Sequence, residues 1–253
     1  MQISGLFYFL HSINVAWLIK ARKAADSSDC QLTVNLLPDT NRSMDTSDIR
    51  RDFLNQFQLA DHIISDGSNV SGVSLPVSEK ESNNIISNWC KPTLGKNIFC
   101  DESSLESLNV SRHKNIVTTN GCFDILHPGH LETLKFAASC GDELFVLINS
   151  DSSVKRFKGD SRPIHSQEFR ARVLQQLPYV DYVVVFHEDN PLNLLDQIRP
   201  TVHVKGGSFI PERVKQESDL LAGWGGVLQP YELVGNYSTT NLLKQFPEKP
   251  FPV

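Results

Sequence analysis

The stretch Asn120-Gly121-Cys122-Phe123-Asp124-Ile125-Leu126-His127-Pro128-Gly129-His130 joins a β-rich run to a helical one, and its residue types point to anion chemistry. A strand-to-helix junction turns exposed backbone N–H groups and the positive end of the helix dipole toward the loop. Gly121 permits a tight turn and a close approach of backbone to phosphate. His127 and His130 are three residues apart, so on a first helical turn they share a face. Gly129 between them leaves space where a side chain would block a ligand. Two imidazoles aimed at one point donate hydrogen bonds to a polyphosphate as charge grows on it.

Other chemistries fit less well. Zinc needs further Cys, His or Asp ligands around the metal, and apart from nearby Asp124 none of suitable spacing is present. Two solvent-facing histidines would leave the Gly-x-Phe-Asp lead-in unexplained. Cys122 has no evident base to activate it, so its expected contribution is backbone and not a thiolate.

The elements that must position this loop alternate. Asn115 to Thr119 is a β-rich run, and Pro128 to Ser139 carries Leu131, Leu134 and Ala138 on one helical face. Cys140-Gly141-Asp142 ends that helix. Leu144 to Ile148 is continuously apolar, as expected of a parallel strand covered on both faces. A helix over Gln167–Leu177, a strand over Tyr182–Phe186, a short helix over Leu192–Ile198 and a strand over Thr201–Val204 follow. This order predicts an α/β fold with a Rossmann-like, doubly wound parallel sheet.

Composition bounds the rest. A chain of 253 residues forms one large domain or two small ones, and 40% hydrophobic with 21% charged residues describes an ordinary soluble globular protein. The formal charge of −5 argues against a general nucleic-acid partner. Cys30, Cys90, Cys100, Cys122 and Cys140 are irregularly spaced without a CxxC pair, which fits a reducing, cytoplasmic setting. The apolar run Ile3–Ile19 is followed, not preceded, by Lys20, Arg22 and Lys23, and it is short for a membrane span. A signal or anchor is therefore the weaker reading, and no membrane partner is expected.

The first half also reads as a copy of the second. Ile3 to His11 aligns on Thr119 to His127 with Gly, Phe, Leu and His in register. With small gaps, Ala24-Ala25 falls on Ala137-Ala138, Leu32 to Asp39 on Leu144 to Asp151, and Asp61 on Asp181. Arg50 likewise falls on Arg170, Leu54 on Leu174, and Lys91-Pro92-Thr93 on Arg199-Pro200-Thr201. The expected organisation is a degenerate, truncated repeat over residues 1–110 and an intact domain over 111–253. In the first copy Ile13 and Asn14 stand where Gly129 and His130 stand in the second, so one active site per chain follows. An unrelated α/β extension, with Ser65–Asn84 as linker, is the alternative.

The segment GCFDILHPGH resembles the signature of the cytidylyltransferase-like nucleotidyltransferases. With Asn149-Ser150-Asp151, Lys155, Lys158, Arg162-Pro163-Ile164, Lys205-Gly206-Gly207 and Tyr237-Ser238-Thr239-Thr240, it is most similar to domains that adenylylate D-glycero-β-D-manno-heptose 1-phosphate. The resemblance spans about Asn115 to Phe246, roughly half the chain. It implies transfer of a nucleoside monophosphate from a triphosphate, ATP by preference, to a phosphorylated sugar or alcohol. Mg²⁺ would accompany the triphosphate. His127, His130, Lys155 and Lys158 would be catalytic. Gly121, Cys122, Phe123, Gly129, Lys205, Gly206, Gly207 and Tyr237 to Thr240 would bind nucleotide, and Asp124, Asp151 and Arg162 the acceptor. Arg170 has a plausible role as a helix-surface ion pair. Ser238 or Thr239 is equally readable as a helix N-cap. Ser208 replaces the usual Asp after the two glycines. Family members commonly pair near this tetrad, so a homodimer or internal pseudo-dimer is expected. A cytidylyltransferase for glycerol 3-phosphate or phosphoethanolamine is the runner-up, and a non-catalytic nucleotide-binding regulator is the alternative of another class.

Overall fold

The structure, a computed structural model, describes residues 2–5, 12–36, 55, 60, 62–64, 98–101, 105, 114–207 and 210–232. These group into two compact units. The first holds β1 (Gln2–Gly5), α1 (Ser12–Ser27), β2 (Thr33–Leu36) and β3 (His62–Ile64), together with the loop residues Ile125–Pro128. The second begins with β4 (Ile98–Asp101), β5 (Ile116–Gly121), α2 (Pro128–Ser139), β6 (Glu143–Asn149) and α3 (Asp151–Lys158). It continues with α4 (Gln167–Leu174), β7 (Tyr182–Phe186), α5 (Leu192–Ile198), β8 (Val202–Gly206), α6 (Pro211–Ala222) and β9 (Val227–Tyr231).

The second unit is built on a six-stranded sheet in the order β4-β7-β6-β5-β8-β9, every pair parallel. From β5 the chain winds outward through β6 and β7, then crosses to β8 on the other side. That reversal makes the C-terminal ends of β5 and β8 a topological switch point, the place where doubly wound sheets open a crevice for ligands. Because parallel strands are covered on both faces, β6 and β7 are buried almost throughout. Phe145, Leu147, Val184 and Phe186 pack on one face against Leu194, Leu195 and Ile198 of α5. The register pair Phe145–Tyr182 stacks with ring centroids 4.1 Å apart. Each such side chain contributes about 1.5–3 kcal/mol by leaving water.

The expected doubly wound sheet is what the chain forms. The helices over 128–139 and 192–198 and the strand over 182–186 have the expected bounds. The segment that carries Lys155 and Lys158, for which the sequence order above names no element, forms α3. Ser150 caps it by accepting from the Ser153 N–H, Asp151 complements the first turn, and Lys155, Arg156 and Lys158 complement the last. Strand β4 precedes residue 110 yet belongs to the second sheet. The apolar N-terminal run divides into β1 and α1, and no described helix is long and apolar enough to cross a membrane.

The first unit pairs β1 with β2 and β2 with β3, all parallel. Its register can be laid on the second sheet through the sequence alignment. Gly5 pairs with Leu36 as Gly121 pairs with Ile148, and Val34 pairs with Ile63 as Val146 pairs with Val183. Ser12 and Pro128 each open the following helix. The aligned positions Arg50, Leu54, Asp61 and Lys91-Pro92-Thr93 lie outside the described residues.

One close approach holds the switch point together. A Cβ on Gly206, at the end of β8, would lie 2.5 Å from Thr133 Cγ2 of α2, while the Thr133 hydroxyl donates to the Gly129 carbonyl at 2.9 Å. Gly206→Ala is therefore expected to destabilise the fold by about 1–3 kcal/mol. In a Thr133→Ala background the same change should cost clearly less; additive losses in denaturant unfolding would show that this contact is not the cause.

Candidate active site

The loop from Gly121 to His130 leaves the central strand at the switch point. His130 lies in the first turn of α2, and its ring packs against Phe123 with centroids 5.1 Å apart and planes tilted by 51°. Phe123 is buried and adopts φ 48°, a left-handed conformation costly for a bulky residue. It thus meets His130 with its ring. Gly121 leaves room for that ring, since a Cβ there would come within 3.1 Å of it. Gly129 is buried and supplies the carbonyl that Thr133 bonds.

His127, immediately before α2, is 3% exposed, and burial lowers its pKa to about 4. It is therefore a neutral imidazole at neutral pH, a hydrogen-bonding group and not a cation.

Behind this loop lie two buried arginines. Arg170, expected on a helix surface, is 1% exposed. Its Nε donates to the His165 carbonyl, Nη1 to the Cys122 carbonyl at 2.6 Å, and Nη2 to Asp151 Oδ1 at 2.8 Å. Sequence reasoning placed it outside because it is charged. The available signal was its spacing from Leu174 and Leu177, which puts it on the apolar stripe of its helix. Arg162 Nε donates to Asp124 Oδ2 at 2.6 Å, and the Ile164 and His165 amides donate to the same carboxylate. Asp124, expected among the acceptor contacts, is 2% exposed and acts instead by fixing the 162–165 segment. Arg162 Nη2 is buried without a hydrogen-bond partner among the described residues. Asp151 is partly exposed and bound to Arg170.

Lys155 and Lys158 both lie exposed on α3. Gly207, with φ 85°, turns the chain after β8 in a conformation that suits glycine. Lys205 donates to Asn120 Oδ1 and to Glu217 Oε1, and its pKa is lowered by burial against the opposing pull of Glu217. The Cys122 thiol lies 3.9 Å from Asn149 Oδ1. Ser208 and Tyr237 to Thr240 lie outside the described residues.

Comparison with known proteins places this geometry in context. The cytidylyltransferase-like family model matches residues 118–250. The bifunctional protein HldE of Syntrophotalea carbinolica is 47% identical over 146 residues, covering 57% of this chain and 30% of the relative. HldE of Geobacter metallireducens is 46% identical over 133 residues, covering 53% of this chain and 27% of that one. The chain thus spans less than a third of the length of these relatives. A lipopolysaccharide core biosynthesis protein from Thermoplasma volcanium aligns with a TM-score of 0.41 at 25% identity, over 49% of this chain and 99% of that one.

Two measurements follow from the buried groups. His127 and His203 have pKa values lowered to about 4 and about 3, so in that range the unfolded chain binds more protons than the folded one. Their contribution is complete above pH ~6.5 and lost as pH falls toward those values, on the order of 3 kcal/mol for His127 alone. Unfolding free energy should fall over this window, and His127→Gln should flatten the fall; an unchanged slope would refute the assignment. Arg170→Met orphans two carbonyls and should lower stability by roughly 2–4 kcal/mol in denaturant unfolding, with Arg170→Lys recovering only part.

Proposed function

The chain belongs to the cytidylyltransferase-like family, and on that premise we propose that it is a nucleotidyltransferase. It transfers a nucleoside monophosphate, adenylate by preference, from a triphosphate to a sugar 1-phosphate such as heptose 1-phosphate, and releases pyrophosphate. The observation that carries this reading is the tetrad His127 to His130 at the β5–α2 junction, beside the switch point. The likeness to the bifunctional HldE proteins supports ATP and a heptose phosphate as the substrate pair.

An oxygen of the acceptor phosphate attacks the α-phosphorus, and the bond from that phosphorus to the bridging oxygen of the β-phosphate breaks. The electron pair leaves with pyrophosphate, so charge grows on the leaving oxygens. Such a displacement needs positioning and charge neutralisation more than covalent help. His130, seated in the first turn of α2, donates to those oxygens together with the helix N-terminal amides. His127, neutral by burial, adds a hydrogen bond without a full charge. Lys155 and Lys158 neutralise the α-phosphate and the attacking phosphate from α3. Arg162, oriented by Asp124, takes the acceptor phosphate, and its buried Nη2 supports this role. Asp151 serves the acceptor side through Arg170. Cys122, Phe123 and Gly129 shape the loop. Tyr237 to Thr240, outside the described residues, are assigned to the triphosphate on the family resemblance alone. Magnesium enters with the triphosphate as part of the substrate. The Asp124 carboxylate is already filled by Arg162 and two amides, so the phosphates supply most of the metal's ligands.

The first unit is, on this reading, a degenerate copy of the same strand-helix-strand arrangement. The equivalent registers support it. Among the described residues β1 has β2 as its one neighbour, whereas β5 lies between β6 and β8. Ile13 and Asn14 stand where the second copy has Gly129 and His130, so on this reading one active site serves each chain.

A pyrophosphate-release assay with ATP and CTP against a panel of sugar and alcohol phosphates tests the reading. ATP with a heptose 1-phosphate is expected to turn over, and absence of turnover with every pair would overturn it. His130→Ala should lower kcat by about 10²–10³-fold while leaving the thermal unfolding midpoint in place.

A further inference from the structure

On one face of the sheet, beneath the switch point, lies a run of buried and half-buried polar groups to which the transfer steps above assign no part. Thr118 and Asn120 alternate along β5, and His203 and Lys205 along β8, so all four project from one face. Thr118 Oγ1 lies 2.7 Å from His203 Nδ1, and Lys205 Nζ lies 2.9 Å from Asn120 Oδ1. Glu217 reaches them from α6, itself 1% exposed, and its Oε1 accepts from Lys205 at 2.6 Å. Its Oε2 lies 3.9 Å from His203 Nε2, beyond hydrogen-bond distance, and neither atom has a hydrogen-bond partner among the described residues.

A pair that served stability alone would be built differently. Removing a carboxylate from water is repaid only when its remaining lone pairs are satisfied, and well-packed apolar residues commonly do as well or better. Half of this carboxylate is left unsatisfied. What the arrangement does accomplish is to fix an ammonium. Burial and Arg213 both disfavour the charged form of Lys205, and Glu217 opposes them. An ammonium has three N–H donors, of which Glu217 and Asn120 take two. The Lys205 side chain keeps 16% exposure at the end of β8, beside the Gly206-Gly207 turn.

We propose that Glu217 and Asn120 are positioning residues that hold the Lys205 ammonium between β5 and β8, where its remaining N–H binds the nucleoside triphosphate. This rests on the nucleotidyltransferase reading and extends it to the Asn120 side chain and to Glu217, which no sequence motif contains. Glu217→Gln keeps the shape and one acceptor but removes the charge. It should raise KM for the triphosphate about tenfold or more, with kcat within about threefold and the unfolding midpoint nearly unchanged. Calorimetric titration with a non-hydrolysable ATP analogue should show the same loss of affinity. Lys205→Met should match it, and Lys205→Met/Glu217→Leu should bind no worse than Lys205→Met while regaining stability. That double variant keeps the test open if Glu217→Gln folds poorly. Parental KM and affinity in Glu217→Gln, or additive losses in the double variant, would overturn the proposal. A parent chain that neither binds nor turns over any triphosphate would instead overturn the nucleotidyltransferase reading beneath it.

Discussion

The guanidinium of Arg170 lies buried where three loops from the C-terminal edge of the sheet meet, and its hydrogen bonds fix their separation. Cys122 follows β5, Asp151 opens α3 after β6, and His165 precedes α4. A planar fork with fixed donor directions suits three acceptors at set angles, which a lysine point charge does not. A second clamp joins two of these three loops, since Asp124 holds Arg162 and the amides of Ile164 and His165. Asp151, the acid that pairs with Arg170 among the described residues, is partly exposed, so solvent weakens its compensation. The buried positive charge therefore lies behind a loop whose amides and helix end already favour anions.

The order of strands and helices was legible because the sheet is parallel and covered on both faces. Leu144 to Ile148 and Tyr182 to Phe186 are continuous apolar runs for that reason, and their bounds follow from where polarity resumes. Helix α3 was not legible: Asp151 to Lys158 has few apolar residues, and its stability comes from Ser150 as cap and from charges matched to its dipole. Strand β9 was missed for the opposite reason, since it is mostly exposed and shows no clean alternation. In the site, the tetrad could be read directly because spacing carries its chemistry. The burial of Arg170 and Glu217 could not, because a charged residue enters the interior only when tertiary partners await it. Their one trace in sequence is a charge standing on an apolar helical stripe, as Glu217 does between Val214 and Leu221.

One face of the sheet divides between two kinds of packing. Over β6 and β7 aromatic and branched side chains pack it against α5. Beneath the switch point Thr118, His203, Asn120, Lys205 and Glu217 replace hydrocarbon with hydrogen bonds and charge. Gly206 keeps β8 close enough to α2 for this polar region to adjoin the phosphate loop. The first unit shares the register of the second over three strands, yet its described strands stop short of the reversal that gives the second its crevice.

Phe123 holds a left-handed backbone that glycine or asparagine would adopt more cheaply, by about 1–2 kcal/mol. Its ring lies between the space left by Gly121 and the imidazole of His130. A smaller residue there would relieve the backbone and at the same time strip the first turn of α2 of the ring that His130 leans on, so the loop's shape is kept at a local cost in stability.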